Sequence, residues 1–101
     1  MDCIGIKVAK TTSVVKCVAA LRKHLPLPIS EVKRRIVEGD YLYLGNFVVI
    51  EEVDLAIKIN DALVESGIEV QCYEHTDYFA EDRPLSYEDL KNWSKTCHEI
   101  E

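Results

Sequence analysis

Apolar residues recur along this chain with two periods, two and about 3.6, and the switches between them mark out its elements. Ile4, Ile6 and Val8 share one face of residues 3-9, the pattern of a half-buried strand. Thr11, Thr12 and Ser13 then offer hydroxyl caps to a helix carrying Val14, Val15, Val18, Leu21 and Leu25, with Lys16 and Lys23 on another face. Pro26 and Pro28 end it, because proline supplies no amide hydrogen and pushes the preceding residue out of the α region. A second helix is predicted from about Ile29 to Glu38, with Ile29, Val32 and Ile36 inward and Lys33, Arg34 and Arg35 outward. Glu31 suits its positive start and Gly39 its end.

Tyr41-Leu42-Tyr43-Leu44 reads as a short strand, and Gly45-Asn46 could turn it into Phe47-Val48-Val49-Ile50, so this segment fits one strand or a hairpin. From Glu51 to about Ser66, Val53, Ile57, Leu63 and Val64 form an apolar helix face, and Glu51, Asp54, Lys58, Asp61 and Glu65 an opposite one. Gly67 closes that helix, and residues 68-73 return to strand alternation. An acidic loop around Tyr78, Phe79 and Pro84 leads to a last helix, which starts at Ser86 in capping-box spacing with Asp89 and aligns Tyr87, Leu90, Trp93 and Cys97. The expected fold class is α/β (α+β): a β-α-α-β-α-β sandwich with a three- or four-stranded sheet covered by helices, plus a C-terminal helix. A chain of 101 residues makes one domain. Its body is expected over 3-75, with an acidic loop and helix over 76-101 packed on it.

Charge adds a direction to this plan. Residues 1-37 carry eight basic groups against Asp2 and Glu31, a balance of +6, whereas residues 38-101 carry sixteen acids against four bases, a balance of −12. Such segregation steers association and leaves the fold alone. No apolar stretch approaches the ~18 residues of a membrane span and no signal-like run opens the chain, so a cytoplasmic protein without a membrane partner is expected. Cys3, Cys17, Cys72 and Cys97 form no C-x-x-C pair, and reduced thiols buried as small hydrophobes are expected there.

Candidate chemistry is sparse. Cys72 and His75, with Cys97 and His98, could offer four metal ligands if the last helix packed beside the closing strand, but their spacing is not that of a finger. In the alternative, Cys72 points into the core and the histidines are exposed; no metal and no cofactor are expected. No phosphate loop, nucleophile elbow or paired-carboxylate motif appears, and nothing in the order of residues sets His24, His75 or His98 beside a thiol, so no enzyme is expected. Lys16, Arg22, Lys23, Lys33, Arg34 and Arg35 could face nucleic acid, yet no aromatic interleaves them and the net charge of −6 repels a polyanion. They could equally be solvated or paired with the chain's own acids. Asp54 and Asp61, joined by Tyr78, Glu81, Asp82, Tyr87, Glu88 and Asp89, mix carboxylates with rings, which suits a basic protein partner.

The order strand, helix, Leu-Pro-Leu-Pro corner, helix, short strand, long helix, strand over residues 3-73 resembles the C-terminal domain of the bacterial ribosomal stalk protein, a fold shared with the Clp protease adaptor. LPLPISEVKRRIVEG stands where that family has its corner and second helix, and EEVDLAIKINDALVESGIEVQ where it has an acidic-started helix, a glycine break and a strand. The resemblance implies a protein-binding habit. Lys16 falls where the family contributes a lysine to factor binding, so an adaptor or regulator of translation or protease machinery would use the helix corner with Lys16, Lys23, Lys33 and Arg34. Pro26 and Pro28 replace the family's corner glycines and stiffen that surface. Small size and the acidic balance make the leading expectation a small acidic inhibitor, of the immunity-protein kind, that neutralises a basic partner such as a nuclease toxin.

Overall fold

Alternation of Ile4, Ile6 and Val8 with Gly5 and Lys7 produces strand β1, Cys3–Val8, in a computed structural model that describes residues 2–78 and 81–100. Helices α1 (Val14–Leu21) and α2 (Ile29–Glu38) follow, then β2 (Tyr43–Asn46), α3 (Ile50–Glu65), β3 (Val70–His75), β4 (Arg83–Leu85) and α4 (Tyr87–Glu99). The strands form one antiparallel sheet in the order β2-β1-β3-β4. This is the α+β arrangement expected, with four strands. The fourth comes from a segment read as loop, where Cys72 pairs with Leu85 and Glu74 with Arg83. Phe79 lies outside the described residues.

Ile4, Ile6, Leu21, Val32, Ile36, Leu42, Val53, Ile59, Leu63 and Leu90 are buried together between the sheet and the helices. Each such side chain contributes about 1.5–3 kcal/mol on leaving water. Gly39 and Gly67, at φ 68° and 77°, take the left-handed conformation that ends α2 and α3.

Several local expectations are corrected. Helix α1 stops at Leu21 and not at Leu25, because the amides of His24 and Leu25 both turn back to the Leu21 carbonyl ahead of Pro26. In so short a helix only Cys17 and Leu21 are fully inside, and Val15 is exposed. Ile29 and Val64, expected inward, are exposed too. Arg35, expected outward, folds in, where its guanidinium donates to the Leu42 carbonyl (2.8 Å) and to Glu31 (2.9 Å).

Residues 41–50 hold one strand and no hairpin. Asn46 stays in the ladder opposite Cys3, while its side chain accepts from the Val48 amide (3.0 Å) and turns the chain straight into α3. Glu52 in the first turn of α3 accepts from the Asn46 amide (3.0 Å).

The last helix lies against α3 and the residues before it, with Tyr87 of its aligned side exposed. Ser86 and Asp89 form a reciprocal capping box. Leu90 is buried, the Trp93 ring nitrogen donates to the Phe47 carbonyl (2.7 Å), and the two rings meet edge to face at 5.7 Å. Among the described residues no helix is long and apolar enough to cross a membrane.

Candidate protein-binding groove

Helix α4 runs antiparallel to α3: Ser94 and His98 bond Asp54 near the start of α3, while Ser86 and Tyr87 stand beside its last turns. Between these last turns and the edge of the sheet lies a groove of about 730 Å³. Asn60, Asp61, Val64 and Glu65 of α3 form one wall, residues 70–73 of β3 the floor, and Pro84, Leu85 and Tyr87 the other wall. Positions 61, 64 and 65 share a helix face, so two carboxylates flank one exposed valine, which is 55% accessible. The Lys91 ammonium lies 5.5 Å over the Tyr87 ring, so that ring already receives a cation of its own helix.

At the bottom sits Asn60, 6% accessible. Its carbonyl oxygen accepts from the Cys72 thiol at 3.6 Å, and burial pushes that thiol up to about 11, which keeps it a neutral donor. The Asn60 amide nitrogen bonds to nothing among the described residues, and no buried side-chain nitrogen or oxygen there is both sealed and unpaired. The amide nitrogen therefore opens onto the groove.

The eight residues expected to bind a partner do not form one surface of free groups. Asp61 and Tyr87 line the groove, and Tyr78, Glu81 and Glu88 are exposed outside its lining. Asp54 accepts from Ser94 (2.7 Å) and contacts His98 (2.8 Å), so it holds α4 in place. Asp89 caps α4. Asp82 accepts the Tyr41 hydroxyl and the His75 ring nitrogen (2.6 Å), fastening the approach to β4 onto the outer face of the sheet.

The basic side is partly used up as well. Arg34 contacts Glu31 (2.7 Å), Glu38 and Asp40, and its guanidinium with that of Arg35 holds the Glu31 carboxyl down at about 2. Lys16, Lys23 and Lys33 stay exposed. A smaller groove of about 400 Å³ runs from the corner residues Leu25 and Leu27 past Arg34 to the β2 edge at Leu44.

The cysteine and histidine pairs do not converge. Cys72 faces Asn60, Cys97 lies under Phe47, His75 meets Asp82 and His98 meets Asp54, and the described residues hold no group of three or more ligands able to bind a metal ion. Sheet register does set Cys3 opposite His75, which the sequence could not reveal. Burial raises the Cys3 thiol, however, the opposite of what a thiolate nucleophile needs.

Sequence reasoning missed Asn60, Val64 and the β4 wall. One signal was present: Val53, Ala56, Asn60 and Leu63 follow core spacing, and a polar residue in that series has to find a partner. Comparison with protein-family models, curated proteins and solved structures returned no match for this chain.

Proposed function

We propose that this protein is a non-enzymatic binding module that captures a basic protein partner, in the manner of a small acidic inhibitor or immunity protein. The observation that carries the reading is the meeting of Asp61 and Glu65 with Tyr87 around exposed Val64, on one groove built from two distant segments. Carboxylates around an apolar and aromatic centre combine electrostatic steering with the buried contact area that gives an interface its energy. Glu88, exposed and next to Tyr87 in sequence, adds a further carboxylate to that end of α4. On the other side, the ion pairs of Arg34 and Arg35 reduce the charge available to an acidic partner or to nucleic acid.

The test is capture from the native cell extract on immobilised chain, comparing the natural protein with Asp61→Lys/Glu65→Lys/Glu88→Lys. A strongly basic protein retained by the first and lost from the second is the expected result. An identical set of retained proteins on both would contradict the reading. The adaptor alternative, which places contact at the corner between α1 and α2, expects loss on Lys16→Glu/Lys33→Glu instead.

A further inference from the structure

We infer that the groove takes a short extended segment of the cationic partner: one apolar side chain between Val64, Leu85 and Tyr87, a neighbouring lysine or arginine on Asp61 and Glu65, and a backbone carbonyl on the Asn60 amide. This rests on the proposed function and adds how the partner is held.

Three independent features converge on that occupant. The volume, about 730 Å³, falls within the roughly 300–1,000 Å³ of ligand-binding clefts. Its walls are apolar at Val64, Val70 and Leu85, so an aliphatic side chain would displace weakly held water. The charge at its rim comes from α3 carboxylates, which select a cation.

Asn60 turns this from a sticky patch into a site. An amide more than nine-tenths buried has little access to solvent, and a groove ligand lacking an acceptor would leave its nitrogen dry and unpaired, which penalises such a ligand. A peptide carbonyl is the acceptor that every residue of an extended segment carries. The oxygen end of the same side chain is held by Cys72, so the donor is already aimed.

The edge of the sheet explains why the segment would use the groove and would not extend the sheet. β4 is the outer strand, and Pro84 in its centre has no amide hydrogen to offer a further strand. At the opposite edge, two of the outward groups, Asn46 N–H and Leu42 C=O, are already taken by Glu52 and Arg35, which leaves less backbone for an added strand.

The experiment titrates the full, isotope-labelled chain with a capped hexapeptide of alternating leucine and lysine, with its leucine-glutamate counterpart and with hexylamine, following amide shifts by NMR. The lysine peptide is expected to shift residues 60–65, 70–73 and 84–87 and to bind at least roughly tenfold more tightly than hexylamine, which has the cation and alkyl tail but no carbonyl. Val64→Arg, on an exposed helix position, should fill the groove and lower peptide affinity by about tenfold or more while the spectrum stays dispersed. A lysine peptide that shifts the surroundings of Glu81 and Glu88 but not the groove would overturn this inference and leave the cationic-partner reading standing. Equal binding of the glutamate peptide, equal binding of hexylamine, or no groove shifts at millimolar peptide would also overturn it.

Discussion

The ring of Tyr41 fills the space that a β-carbon on Gly5 would need: Cε1 stands 2.3 Å from that position. The Lys7 ammonium caps the ring at 4.4 Å, and Tyr73 meets it edge on at 6.1 Å. Gly5 of β1 lies opposite Tyr73 of β3, so this contact covers part of the outer face of the sheet. Gly5→Ala must therefore displace the ring and with it the hydroxyl that bonds Asp82. A loss of about 1–3 kcal/mol in urea unfolding is expected, and Gly5→Ala/Tyr41→Ala should cost less than the sum of its two single changes.

Docking of α4 gives a second expectation. Ser86→Ala removes the oxygen that accepts from the Asp89 amide and should cost about 1 kcal/mol. Trp93→Phe keeps most of the apolar contact but leaves the Phe47 carbonyl without its indole donor, at a further 1–2 kcal/mol or so. Hydrogen exchange should rise over 87–99 in both variants before it rises in β1. Equal loosening of β1 would show that α4 is not a separately docked layer.

Asp54 supplies a pH dependence with a definite sign. Its carboxyl lies below the usual carboxylate range, chiefly because the Ser94 hydroxyl donates to it, with His98 adding to the effect and partial burial opposing it. A depressed carboxylate stabilises the fold above its ordinary pKa of about 3.9, and that contribution is lost as pH falls through the folded value. Asp54→Ala should cost about 1 kcal/mol or less near neutral pH, since the side chain is one-third exposed. The difference from the natural chain should shrink in acid. A gap that stays constant down to about pH 2 would place the stabilisation in packing and not in charge.

Thiol accessibility separates the four cysteines. Cys17 and Cys72 are buried and their thiols are raised, that of Cys72 to about 11, so iodoacetamide at about pH 8 should spare both. Cys3, half-buried at the start of β1, should react first. Mass spectrometry of the labelled peptides reads the order directly, and early modification of Cys72 would contradict the closed floor described beneath the groove.

Much of this architecture could be read from residue order, for reasons that particular residues make plain. Ile4, Ile6 and Val8 announce a strand because alternation alone decides which face is buried. Ser86 and Asp89 announce a helix start because the capping box is local. What could not be read was set by distant partners. Val64 has helical spacing suited to the core, yet it faces the groove because the core contacts of α3 are completed by Val53, Ala56, Ile59 and Leu63. Three residues around a proline carry no readable period, so nothing local shows that Arg83–Leu85 would find Glu74 and Cys72 and become a strand. The acids misled in a similar way: Asp54 and Asp82 resemble Asp61 in composition, but Ser94, His98 and Tyr41 from far along the chain, and His75 from the preceding strand, have claimed them.

The most direct measurement is the affinity of the captured basic protein for this chain, by calorimetric titration across about 50 to about 500 mM salt, with and without Asp61→Lys/Glu65→Lys. Binding by the natural chain is expected to weaken as salt rises, and the doubly reversed chain to bind at least roughly tenfold more weakly with little salt dependence left. Equal affinity and equal salt dependence for the two chains would contradict capture through the acidic groove.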